Sequence, residues 1–147
     1  MTPAGETATT GGATADDAPT RHPFSYAVLR VVPRVERGEA INAGVLLYCQ
    51  PMDFLGSRTH LSEDRLLALD AGADVAAIRQ ALETAADVCA GAEQAGAAGR
   101  EGPGRRFRWL TAPRSTVVQP GPVHTGLTVD PEAELDRLLQ VLVLPLP

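Results

Sequence analysis

Threonine, alanine and glycine dominate the first 22 positions, and from Phe24 the pattern changes to FSYAVLRVV, a β-branched and aromatic run closed by Pro33. The run predicts a first strand, because the proline favours extended geometry at Val32. PRVERGE links it to AINAGVLLYCQ, in which Ile41, Ala43, Val45, Leu47 and Cys49 are all apolar and Leu46 and Tyr48 make the other side largely apolar too. Such a strand is predicted to be central, with both faces covered. After a turn at Gln50 to Asp53, FLGSRTHL predicts a third strand, with Arg58 and His60 on the face of Phe54, so that the three form a meander.

Ser62, followed by Glu63 and Asp64, predicts a short helix ending near Asp70 to Gly72, since a hydroxyl cap and early acids satisfy and complement the positive helix end. Asp74 opens a longer one, with Val75, Ile78, Leu82, Ala85, Val88 and Cys89 at helical spacing and an expected end near Ala95. GREGPG, residues 99 to 104, reads as an exposed loop. RRFRWLTA and STVVQ are predicted as the fourth and fifth strands, and GPVHTGLT, rich in glycine and proline, as a functional or interface loop. Asp130-Pro131-Glu132 starts a last helix with Leu135, Leu138, Leu139 and Leu142 on its apolar face. Strands, helices, strands and a helix in that order predict an α+β fold. Its mainly antiparallel sheet of about five strands carries two or three helices.

The 147 residues, 44% of them hydrophobic, suffice for one ordinary core, expected over residues 23–147 behind a disordered tail at 1–22. All 13 basic residues are arginine, which excludes Schiff-base, general-base and P-loop lysines. A net charge of -5 gives no global attraction to nucleic acid or an anionic membrane. Cys49 and Cys89 have no metal-ligand spacing and read as buried thiols in a reducing cytoplasm. His22, His60 and His124 likewise have no histidine or cysteine partner at ligand spacing, so neither a metal nor a cofactor is expected. No apolar stretch approaches the roughly 20 residues that cross a bilayer. The expectation is a soluble cytoplasmic protein without a membrane partner.

The remaining candidates are polar residues in apolar surroundings. In ERGEAINAGV, Gly38 suits a positive φ in a turn and Glu39 suits an ion pair with Arg34 or Arg37. Asn42 needs hydrogen-bond partners if buried, and with Gly44 on the same side of the pleat it predicts a small polar notch, filled by the chain itself or by a ligand. The segment from Arg100 to Arg114 carries +4 and leaves -9 elsewhere. Pleating would put Arg106 and Arg108 on an outer binding face and Phe107 and Trp109 in the core; the opposite arrangement would stack aromatics on a nucleic-acid base. Arg114 with Ser115, and His124 with Thr125, are candidates for holding an anion. Ser115 and His124 also invite a hydrolase triad, but no GxSxG elbow supports one.

FSYAVLRVVPRVERGEAINAGVLLYC, the arginine-rich run before RST, and TGLTVDPEAELDRLL together resemble the bacterial domain of unknown function 3037 family over residues 24 to about 144. The resemblance implies no established activity, cofactor or catalytic residue. It implies an accessory role, because family members are often encoded near HipA-like serine/threonine kinases. The leading expectation is a non-catalytic protein-interaction module, with a kinase-like protein as partner. An enzyme acting on a phosphorylated or nucleotide substrate through Arg114 and His124 is the first alternative, and a nucleic-acid-binding module using residues 100–114 the second.

Overall fold

The computed structural model describes residues 18–147. The tail expected over 1–22 lies outside the described residues as far as position 17, and the first strand opens at His22 rather than Phe24. One antiparallel sheet contains β1 (His22–Val31), β2 (Ile41–Cys49), β3 (Phe54–Thr59), β4 (Val118–Pro120) and β5 (His124–Thr128). β2 lies between β3 and β1, and β4 and β5 share the far side of β1, β5 beside its first half and β4 beside its end. The helices are α1 (Glu63–Leu69), α2 (Val75–Ala90), a single turn α3 (Ala97–Arg100), α4 (Pro103–Thr111) and α5 (Pro131–Leu142). The fold is thus α+β with an antiparallel sheet, and β2 is an inner strand as its apolar pattern predicts.

Both faces of the sheet are covered. Leu66 of α1, Ile78, Leu82 and Val88 of α2, and Phe107 and Leu110 of α4 pack on one face against Leu29, Val31 and Leu46. Leu135 and Leu138 of α5 pack on the other against Phe24, Val45, Leu47 and Cys49. Each side chain drawn from water in this way contributes roughly 1.5–3 kcal/mol before the entropy of ordering it.

The pleat of β2 departs from simple alternation. Its register against β1 slips between Leu29 and Arg30, so that Gly44 faces Leu29 and Asn42 faces Arg30 with Ala43 between them. This bulge reverses the phase. Ile41 and Ala43 therefore join Leu46 on the α2 and α4 face, whereas Val45, Leu47 and Cys49 face α5. Asn42 and Gly44, expected on one side, are parted. A Cβ at Gly44 would meet Arg58 O at 2.9 Å and the Leu29 side chain at 3.4 Å, while Asn42 points to α5.

The helix starts follow their caps. Ser62 Oγ accepts from Arg65 N–H at 3.4 Å, Asp74 Oδ1 from Ala77 N–H at 3.0 Å and Asp130 Oδ1 from Ala133 N–H at 3.2 Å. α2 stops at Ala90 rather than near Ala95, because Gly91 takes the left-handed conformation (φ 68°) and its N–H returns to Val88 O.

The largest correction concerns residues 99–112. RRFRWLTA is not a strand: Pro103 stands in the first turn of α4, and the loop expected at 99–104 gives way to α3 and the start of α4. The run has no β-branched residue before Thr111, and arginine, leucine and a first-turn proline all suit a helix. STVVQ contributes strand only from Val118, and GPVHTGLT contains the regular strand β5.

Candidate functional site

The helical geometry of α4 sorts its side chains by a period of about 3.6 rather than 2. Phe107 and Leu110 turn inwards, while Arg105, Arg108 and Trp109, at i, i+3 and i+4, stand exposed. Trp109, expected in the core, is 44% exposed. Arg106, expected on an outer face beside Arg108, is turned back instead. Its Nη1 donates to Glu101 O at 3.1 Å, and a Cβ at Gly91 would lie 2.9 Å from that nitrogen. Arg106 thus ties α4 to the end of α2, and its buried Nε has no hydrogen-bond partner among the described residues.

After α4, Ala112-Pro113 reverses the chain and brings Arg114 back over the Trp109 ring, with Cζ 4.5 Å from the ring centroid. Its Nη2 donates to Trp109 O. Stacking of this kind is worth about 0.5–1 kcal/mol at an exposed site and favours the rotamers that lay the guanidinium on the indole. None of Arg105, Arg108 and Arg114 has an acidic partner within salt-bridge distance among the described residues. Beneath Trp109 and Arg114 runs an apolar cleft of about 340 Å³, floored by Leu29, Leu110 and Val118 between α2 and β4.

The other candidates lie apart from this surface. Arg37 Nε donates to Glu39 Oε1 at 2.7 Å in an exposed turn, where Gly38 has φ 72°; that hydrogen bond lowers the Glu39 pKa below its ordinary value. Both residues are spent on the turn. Asn42 Nδ2 donates to Leu142 O at 2.9 Å, so the polar notch is filled by the protein's own last helix. Asn42→Ala is expected to cost about 1–2 kcal/mol by stranding that carbonyl; an unchanged urea midpoint would show the amide to be dispensable.

His124 is exposed with its ring 5.2 Å from that of Tyr26, and Thr125 is exposed on the opposite side of β5. Ser115 is exposed just beyond Arg114. The cleft beside Arg114 includes neither His124 nor Asn42. Burial pushes the Cys89 thiol up to about 11, which keeps it neutral and non-nucleophilic at ordinary pH. Cys49 is also buried and free. Among the described residues no three His, Cys, Asp or Glu side chains form a metal-binding group. No described helix is long and apolar enough to cross a membrane.

Two members of the α4 surface, Arg105 and Trp109, escape a reading in strands. The signal that finds them is Gly102-Pro103 followed by apolar Phe107 and Leu110 three apart, a helix start with one buried stripe.

The family described as protein of unknown function (DUF3037) matches residues 26–143, most of the chain, and the chain belongs to it. No curated protein and no solved structure matches the chain.

Proposed function

We propose that this member of the DUF3037 family is a non-catalytic protein-interaction module that binds an acidic surface through the outer face of α4. The observation that carries the reading is the exposed cluster of Arg105, Arg108 and Trp109, completed by Arg114 on the indole. Glu101 borders a cleft with Arg105, Arg108 and Trp109, but none of the three arginines is ion-paired among the described residues. Tryptophan and arginine are the residue types that most often dominate interface energetics, and a pre-stacked pair loses little freedom when a partner closes on it. The remainder of the chain is strongly acidic, so the cluster also orients an approaching partner. A HipA-like kinase, the partner class implied by the family resemblance, is the first to test.

The test is binding of a purified HipA-like kinase from the same organism, measured by calorimetry with wild-type protein and with an Arg105→Glu/Arg108→Glu double variant. Reversing two central charges is expected to weaken binding by at least about a thousandfold, as loss of two hot-spot residues at about 2 kcal/mol each would. The thermal melt should stay near that of the wild type, because both positions are exposed. Absence of binding by the wild type would remove the kinase from consideration. A bound partner indifferent to the double reversal would remove the α4 surface.

The exposure of Trp109 also favours a second reading, in which the indole stacks a base of a single strand while the arginines hold phosphates. Affinity for short RNA or DNA that falls steeply with salt would support it over the protein partner. The acidic balance of the chain ranks it second.

A further inference from the structure

GPVHTGLT plays no part in the α4 surface, yet among the described residues its strand β5 pairs on one side only, with β1. The direction of its free backbone groups follows from β1. Val28 O accepts from Gly121 N–H at 2.7 Å on the β4 and β5 side, whereas Pro23 O meets the Cys49 thiol at 3.5 Å on the β2 side. Antiparallel ladders alternate, so even-numbered residues of β1 direct their backbone groups towards β5 and odd-numbered ones towards β2. On β5, His124, Gly126 and Thr128 therefore bond to β1. Thr125 and Leu127, opposite Ser25 and Pro23, turn their N–H and C=O groups outwards.

The side chains of this edge match its backbone. A Cβ at Gly126 would strike the Phe24 ring at 2.7 Å, which places Gly126 on the α5 face and its neighbours Thr125 and Leu127 on the other. There Leu127 is 55% exposed, and Val123, just before the strand, 47%. Edge strands are commonly guarded by charge, proline or a bulge. β3, at the opposite edge, carries Arg58, but β5 has no charge, proline or bulge between His124 and Thr128.

We infer that β5 is a self-pairing edge whose occupant is β5 of a second copy of this chain, antiparallel about a two-fold axis through Gly126. In this register Thr125 stands opposite Leu127 of the second copy, and Leu127 opposite its Thr125, so every outward N–H and C=O of these residues finds a partner. Gly126 faces Gly126 at the closely spaced position. No like charges are brought together within the strands, which matters for a chain of net charge -5. So short a contact makes a weak, concentration-dependent dimer.

Sedimentation velocity across a concentration series, with amide exchange read by NMR at its two ends, tests the pairing. The mean mass is expected to rise towards that of two chains, with protection growing at the Thr125 and Leu127 amides and much less at Gly126, already bonded to β1. Thr125→Pro, which removes an outward N–H without touching the ladder to β1, and Leu127→Lys should sediment as single chains where the wild type pairs. A wild-type protein that stays a single chain throughout overturns the inference, as does protection that grows elsewhere or a folded Thr125→Pro protein that still dimerises.

Discussion

Phe107→Ala is expected to lower the unfolding free energy by about 3–5 kcal/mol, whereas Trp109→Ala, though it removes the larger ring, should lower it by no more than about 1 kcal/mol. Phe107 is 6% exposed and its ring lies 5.6 Å from that of Tyr48, in the core beneath α2 and α4. Removing it opens a cavity that Leu110 and Cys89, themselves tightly held, are poorly placed to fill. Trp109 has solvent on one side and Arg114 over its ring, and truncation there removes contact without leaving a void. For a domain whose whole stability is typically 5–15 kcal/mol, the first change approaches unfolding and the second does not. Urea denaturation of both variants decides the matter. Equal losses would mean that the indole belongs to the core and that the α4 surface does not exist as described.

The second large effect belongs to α5. Leu135→Ala should cost about 2–5 kcal/mol, because Leu135 is fully buried and fits where Gly56 leaves room: a Cβ at Gly56 would lie 3.0 Å from Leu135 Cδ2 and 2.7 Å from Phe54 Cζ. The same helix is tied to β3 by Arg58, which bonds Glu132 and, at 2.9 Å, Asp136. Those carboxylates are more than half exposed, so Arg58→Ala is expected to cost at most about 1 kcal/mol. Denaturation of the two variants, with limited proteolysis at the Val129-Asp130 junction, separates apolar docking from ion pairing. A larger loss for Arg58→Ala would show that the charges hold α5.

Local chemistry explains why some candidates were legible before any fold was known. The Arg37 to Glu39 pair and the positive φ of Gly38 lie within three residues, and the capping residues Ser62, Asp74 and Asp130 bond amides three positions away. Asn42 was legible in part: an amide in an apolar strand demands a partner, but that partner, Leu142 O, is 100 residues away. Its separation from Gly44 was hidden, because a bulge at Ala43 depends on how β1 pairs, and alternation along one strand carries no record of its neighbour. Arg106 and Trp109 were placed on the wrong faces and Arg105 was passed over, whereas Arg108 does stand outside. Over eight residues a mixed apolar and basic run fits period 2 and period 3.6 nearly as well, and the deciding contacts, Phe107 on Tyr48 and Gly104 against the same tyrosine, come from β2.

The residue pattern was enough for the α+β class, the three-stranded meander, the central place of β2, the caps of three helices, the paired turn at Arg37 to Glu39 and the membership of a family recognisable from three stretches. These rest on interactions between residues close along the chain, or on composition and pattern summed over many positions, which folding does not rearrange. Tertiary structure alone decided that RRFRWL is a helix with Trp109 outside, that Arg106 faces inwards while Arg105 and Arg108 do not, and that β4 and β5 share one edge of β1. It also decided that Asn42, Arg114 and His124 lie apart. In each case the outcome turns on which distant surface a short segment buries against, and burial against a partner outweighs by several kcal/mol the few tenths that separate local propensities.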